Sequence, residues 1–544
     1  MEKRALIAVV LSLLILVLYQ EWVAWQFGTP TPPSPPEASK EKEEGKVVAP
    51  PPKPQPVLKE AKPPVRSRQE AVKEIRVETD HYVALFTSQG ARLKSFTLKH
   101  YRTSVDEMSP PFEMISTTPG LPYPLGIQLQ GPNPLNDEAV IYSAEGGGLK
   151  LAGESKGTLV FQGQGPGGVK LTKEFTFTGS SYPIQLEVSV EGTDASISPA
   201  LLLSTDESHK GLTRDAVFEG LLAVVDNKIK REHADEIKKG KELSGSVPWA
   251  GFGYTYFLFA LLPEKEDQQK LAVKEISPAL VMEISGPPQA GAVVKSRYTL
   301  FIGPKELDNL KAMNKGLERS IDFGYFGFVS VPFLYVMHFS NRFTGSYGID
   351  IILLTFLIKL IMAPLTHKSF VSMKRMQKLQ PQMERIKEKF KDDKEKMNKE
   401  IMELYRRNKV NPLGGCLPML FQFPVFIGLY NALLTPIELR HAPFMWIKDL
   451  SRPDWESLPF TLAGWPSFLP SGIPVLTILM GASMFLQQWM TPSAGDPNQK
   501  KMMMLMPLIF TFMFVSFPSG LTIYWLVNNV LGIAQQYLIN RMDR

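Results

Sequence analysis

Three stretches of this chain, 410–437, 457–495 and 502–540, contain no Lys, Arg, Asp or Glu, and they run for 28, 39 and 39 residues. About 20 apolar residues cross a bilayer, so a chain with three such runs reads as a polytopic membrane protein. The mean hydropathy of −0.06 conceals this because charges crowd into other segments, notably 59–80 and 226–242. The composition excludes pure disorder, collagen and a disulfide scaffold. The single cysteine, Cys416, leaves no intramolecular disulfide even for a domain in an oxidising compartment. A balance of 60 basic to 54 acidic residues, net +6, is too mild to argue for nucleic-acid reading.

The N-terminus has Lys3 and Arg4 followed by fifteen apolar or small residues to Tyr19. It reads as an uncleaved signal anchor over 1–27 rather than a cleaved signal. Gln20, Glu21, Trp22 and Trp25 follow the apolar core where small residues would be needed for cleavage, and the Trp pair suits an interface. Residues 28–65 hold twelve prolines among Lys and Glu and form an extended tether. Residues 66–318 alternate with period 2, as in His81-Tyr-Val-Ala-Leu-Phe86 and Ile184-Gln-Leu-Glu-Val-Ser-Val190, between Gly, Pro and Asn turns. This is a large all-β domain, expected to be a sandwich. Gly163-Gln-Gly-Pro-Gly-Gly-Val169 lacks the Lys-Ser/Thr of a phosphate loop and reads as a turn. The charged segment 227–243 reads as a solvated helix or loop.

An interfacial helix is expected in 319–345, centred on the amphipathic stretch 331–343. The core, 346–544, is expected to hold five spans: 346–366, 413–434, 473–490, and two within 502–540 that part at Phe517-Pro-Ser-Gly520. With the anchor that makes six transmembrane helices. The 367–411 loop carries 14 Lys/Arg against 7 Asp/Glu, whereas 435–470 carries 3 against 4. The positive-inside rule then makes 367–411 cytoplasmic, both termini inside, and the β-domain outside. Within 367–411, Phe370, Met373, Met376, Leu379, Met383, Ile386 and Phe390 recur at spacings of three and four, and Met397, Ile401 and Leu404 do so again. Two amphipathic helices in a hairpin fit this pattern, with Pro381 breaking or kinking the first. Their Met/Phe stripe either zips the hairpin or docks a partner.

No catalytic or metal set is visible. The seven histidines never pair at i, i+3 or i+4, and Cys416 has no nearby His base, so no enzyme activity and no cofactor are expected. The informative residue is Lys359, inside an apolar helix. A mid-membrane lysine costs about 2.5–3.5 kcal/mol on insertion scales. Either its stem snorkels toward Thr366, or it faces a water-filled cavity shared with Thr355, four residues earlier on the same face, and with Gln422, Asn431, Gln487, Gln488, Asn528, Asn529, Gln535 and Gln536 from the other spans.

Asn411-Pro-Leu-Gly-Gly-Cys-Leu-Pro-Met-Leu-Phe-Gln-Phe-Pro424, Phe517-Pro-Ser-Gly-Leu-Thr-Ile-Tyr-Trp-Leu-Val-Asn-Asn529, Ala363-Pro-Leu-Thr366 and the Gln535-Gln536 pair resemble the signatures of the YidC/Oxa/Alb membrane-insertase family. The anchor, tether and β-domain resemble its Gram-negative form, and residues 249–263 are similar to a motif of that form's periplasmic domain. The resemblance implies a five-helix core around a hydrophilic groove open to cytoplasm and lipid and closed toward the periplasm. It also implies residence in the bacterial inner membrane. The family's groove cation is usually Arg; here Lys359 matches it, without Arg's bidentate fork. Thr355 and Gln422 match other groove positions, and Phe423, Phe426, Phe510 and Phe514 match the greasy faces that incoming helices slide along. Tyr524, Trp525 and Asn528 stand in the last signature as candidate substrate contacts. The implied partners are nascent membrane proteins, the Sec translocon with its accessory subunits, the ribosome and the lipid bilayer. The rival reading is a secondary transporter using Lys359 as a coupling site, but the internal repeats such proteins show are not found.

Overall fold

In the computed structural model, strand formation in the N-terminal part follows side-chain alternation where one face is buried. Lys170–Thr178 and Ile184–Glu191 bury every second residue and pair antiparallel, with Leu171 opposite Val190 and Phe175 opposite Leu186. Other strands are covered on both faces: Trp249–Tyr254, Phe257–Pro263 and Ala279–Ser285 are buried at every position. The structure describes residues 72–544 apart from 107, 116–120, 146, 194–195, 207–217, 277–278, 411–416, 461–469, 492–496 and 543–544. The N-terminal anchor, the Pro-rich tether, Cys416 and most of the Asn411–Pro424 signature's loop therefore lie outside the described residues.

The described strands form sheets of five, nine and six. The nine-stranded sheet places Phe257–Pro263 and Val293–Pro304 at its centre, with Leu261 opposite Leu300. The result is the expected β-sandwich. Its interior also holds ions: Asp137 Oδ2 meets Lys173 Nζ at 2.6 Å and Asp137 Oδ1 meets Arg92 Nη2 at 3.1 Å, with Asp137 and Lys173 fully buried. Lys173 Nζ also donates to the carbonyls of Gly90 and Leu125, so all three of its protons have acceptors. The 163–169 segment is a turn, as expected, around Pro166–Gly168.

The segment 227–243 differs from expectation. Only Ala234–Ile237 (α1) is helical there; Lys228–Glu232 and Lys241–Gly245 are strands. Each is the edge strand of its sheet, where charged side chains block further pairing, and this is why the stretch looks solvated in sequence.

After the β-domain come α2 (Leu307–Ala312) and the helical part: α3 (Gly327–Thr344), α4 (Tyr347–Lys378), α5 (Gln380–Lys389), α6 (Lys394–Arg407), α7 (Leu417–Leu434), α8 (Val475–Met490), α9 (Pro497–Phe514) and α10 (Ser519–Met542). Among the described residues α4 is long and apolar enough by itself to cross a bilayer; Leu420–Leu434, Val475–Met490 and Met503–Phe514 are shorter apolar stretches. α4 does not end at Thr366 as expected. It runs 32 residues, about 48 Å, so its last turns project beyond a hydrocarbon core about 30 Å thick. Pro381, in the first turn of α5, sets the break between α4 and the hairpin. The hairpin carries its own small core of Leu379, Met383, Tyr405 and Val410, flanked by Met376, Ile401 and Leu404, and Asp393 caps α6 by accepting from the Lys396 amide at 3.0 Å. The Met stripe thus does zip the hairpin.

Candidate functional site

The site grows from α4. Its inner face buries Ile351, Leu354, Thr355 and Ile358, while Leu353, Phe356, Leu360 and Ile361 stay exposed on the other side. A surface that apolar is stable in lipid and not in water. Lys359 flanks the inner face, half-buried, and its Nζ donates to Asn528 Oδ1 of α10 at 3.1 Å. Gly532, one turn along α10, lets the cluster close: a Cβ there would stand 2.6 Å from Gln487 Nε2 of α8 and 3.4 Å from Lys359 Nζ. Lys359 therefore turns sideways toward amides on two neighbouring helices and does not run along α4 toward Thr366. Among the described residues no carboxylate pairs with it.

Further polar ties continue the same row. Gln535 Nε2 donates to Thr366 Oγ1 at 2.8 Å, and Asn529 Nδ2 to Ser483 Oγ at 3.0 Å. Thr355 is buried and spends its hydroxyl on the Ile351 carbonyl of its own helix at 2.6 Å. Gln422 Nε2 donates to the buried Tyr524 Oη, pinning α7 to α10. Asn431, grouped with the cavity residues in sequence, instead binds the Phe323 carbonyl at 2.9 Å, before α3.

The aromatic candidates separate into two kinds. Phe426, Phe510, Phe514 and Trp525 pack on one another, with Phe426–Trp525 edge-on at 5.2 Å and Phe510–Trp525 stacked at 6.3 Å, and Phe514 is fully buried. They hold α7, α9 and α10 together. Phe423 is 59 % exposed and faces outward beside Phe421 and Leu420.

Several supporting residues escaped the sequence reading. Asp350, in the first turn of α4, is a second ionisable group in that span; it is fully buried and accepts from Asn341 Nδ2 at 2.6 Å and Thr344 Oγ1 at 2.7 Å. It stands nine residues, about 13 Å, from Lys359, too far to neutralise it. The loop after α7 closes one end of the bundle. Asp454 accepts from the Leu476 amide at 2.7 Å and from Thr477 Oγ1 at 3.0 Å, satisfying the start of α8. The Leu450 and Arg452 carbonyls accept from the first amides of α10, and Trp455 Nε1 donates to the Val515 carbonyl at 2.9 Å. Helix caps supplied from 22 residues away, as by Asp454, or from farther still, as by Leu450 and Arg452, leave no local spacing to read. The same loop meets the β-domain: Arg440 Nη2 donates to the Arg102 carbonyl at 2.7 Å and its guanidinium lies over the Phe112 and Phe257 rings.

Residues 74–336 match the family model described as YidC periplasmic domain, and 339–544 the one described as 60Kd inner membrane protein. Membrane protein insertase YidC of Syntrophus aciditrophicus is 39 % identical over 99 % of this chain and 100 % of its own length. The chain belongs to the YidC membrane-insertase family. The namesake of Pelobacter propionicus is likewise 39 % identical, over 100 % of this chain and 99 % of its own. A crystal structure described as an active YidC insertase with its first transmembrane domain resolved is 21 % identical, with a TM-score of 0.37, over 86 % of this chain and 93 % of that one. Membership makes the protein an inner-membrane protein whose β-sandwich is the family's periplasmic domain.

Proposed function

We infer that this protein is a membrane-protein insertase and chaperone that works without a nucleotide. It acts on nascent inner-membrane proteins, alone or beside the Sec translocon, with the ribosome delivering substrate on the hairpin side. The supporting observation is the Lys359–Asn528–Gln487 cluster: a cation and two amides set between helices whose outward faces are apolar. Polar groups placed there lower the cost of bringing a short hydrophilic segment into the bilayer. Lys359 attracts acidic groups of that segment. The substrate's apolar helix then leaves along exposed Phe423 into lipid, and its burial drives release. The loop that caps α8 and α10 closes the groove on the periplasmic side, and the bundle opens toward the cytoplasm and lipid. Phe426, Phe510, Phe514 and Trp525 form the wall behind this path.

The test is reconstitution of the full chain into vesicles, followed by insertion of a substrate with a short translocated segment. The expected result is insertion above that of protein-free vesicles, with no nucleotide added. A pH-dependent solute flux with no insertion would favour the transporter reading instead.

A further inference from the structure

A cavity of about 400 Å³ lies at the base of the β-domain, lined by His81, Tyr101, Tyr182, Phe301, Glu306 and Asn309 among others. Nothing in the insertion reading uses it. Among the described residues its lining holds one carboxylate, two imidazoles and no Lys or Arg. The Glu306 carboxylate is half-buried and takes one hydrogen bond on each oxygen, from Tyr101 Oη and Asn309 Nδ2, which leaves lone pairs on both. His81 stacks on Tyr182 at 4.6 Å, and its Nε2 lies 3.1 Å from the Ser180 carbonyl. That nitrogen must therefore carry a proton, while Nδ1 is shut off from the cavity space and has no hydrogen-bond partner among the described residues. The lining thus combines a carboxylate that keeps free lone pairs with aromatic rings, and among the described residues it holds no Lys or Arg.

An anion is repelled by Glu306, and a neutral polyol gains nothing from the charge of that carboxylate. An ammonium group has three donors, no acceptor, and a charge that both a carboxylate and aromatic faces attract. The source follows from the position of the cavity. Lining residues Asn309 and Ala312 belong to α2, and Lys311 of α2 donates to Tyr335 Oη of α3 and sits over that ring at 4.9 Å. α3 exposes Phe328, Phe339 and Phe343, the surface of a helix lying on a bilayer. Lys311, exposed and adjacent to Ala312, supplies a positive charge for a phosphate next to the ammonium. We propose that this cavity holds the ammonium group of an ethanolamine-class phospholipid headgroup, fixing the β-domain to the outer leaflet.

The experiment is native mass spectrometry of the full chain in detergent. It is titrated with dioleoyl phosphatidylethanolamine, its N-acetyl derivative and dioleoyl phosphatidylglycerol, with an acetyl-lysine amide arm. The expected result is retention of phosphatidylethanolamine about tenfold above the other two lipids, the order an aromatic-lined cation site supplies. Glu306→Gln removes the charge, and Ala312→Phe fills the cavity while keeping Glu306; both should abolish the preference with thermal melts unchanged. If one variant fails to fold, the other decides. Equal retention of phosphatidylethanolamine and its N-acetyl derivative overturns the proposal, as does a preference that survives in a folded variant. Binding of acetyl-lysine amide without lipid preference overturns the headgroup assignment in favour of a basic peptide. Insertion activity is measured separately, so failure here leaves the insertase reading untouched.

Discussion

At the scale of single residues, a half-buried cation and a fully buried one pose opposite problems. Lys359 has the Asn528 amide oxygen as partner and, among the described residues, no counter-ion, the arrangement of a charge kept available for something that arrives. Lys359→Arg should retain insertion, whereas Lys359→Ala or Lys359→Glu should lose it, most for substrates with acidic translocated segments. In a partly hydrated cavity the expected effect is on the order of 1–3 kcal/mol. Equal insertion rates for wild type and Lys359→Ala on an acidic substrate would remove the groove-charge role. Lys173 is the contrary case, fully paired inside the sandwich. Asp137 takes hydrogen bonds from Arg92, Tyr142 and the Ile127 amide besides its ion pair with Lys173, so Asp137→Asn strands two buried cations. The cost should be about 3–5 kcal/mol, read as a lowered melting temperature of the full chain. Burial also draws the Lys173 amine down to about 8, against the pull of Asp137. An unfolded lysine titrates near ~10.4, so between about pH 8 and pH 10 the unfolded chain holds the extra proton. The contribution of Lys173 to stability therefore rises with pH across that window. Relative to Lys173→Met, the wild type should gain melting temperature from pH 8 to pH 10; a flat difference would contradict this.

At the scale of elements, what could be read in the sequence depends on how an element is buried. Lys170–Thr178 and Ile184–Glu191 announce themselves because one face is wet. Phe257–Pro263 has no wet face and thus no alternation, and only its likeness to the family marked it. The edge strands around 228–245 were disguised by the charges that protect them. In the groove, Lys359 and the amides stood out because polar groups are rare in apolar runs. Asp454 and the Arg440 tie did not, since both act across the chain on distant partners. The hairpin was legible from its three–four spacing. Its core of Leu379, Met383, Tyr405 and Val410 is separate from the main one, so α5 and α6 should be dispensable to the fold. Deleting 384–406 should leave a membrane-integrated protein with the melting behaviour of the wild type and impaired insertion. Unimpaired insertion would make the hairpin a passive connector.

At the scale of the whole molecule, sequence charge and three-dimensional contacts bear on the same topology from different directions. The loop counts, 14 Lys/Arg against 7 acids in 367–411 and 3 against 4 in 435–470, predict which loops stay in the cytoplasm. The contacts are independent of charge. Arg440 binds the Arg102 carbonyl, so the 435–470 loop shares a side with the β-domain, and α4 is long enough to carry the hairpin across a bilayer from there. With the β-domain periplasmic, both arguments predict the 435–470 loop in the periplasm and the hairpin in the cytoplasm, and the charge counts alone extend the prediction to 28–330 outside and both termini inside. Single cysteines introduced after Cys416 is replaced by Ser test this with a membrane-impermeant maleimide on intact spheroplasts. A cysteine at 448 should label without lysis, and one at 395 only after it. Labelling at 395 in intact spheroplasts would overturn the scheme at its most informative point. It would put fourteen cations on the wrong side of the membrane and separate the groove's open end from the compartment in which substrates are made.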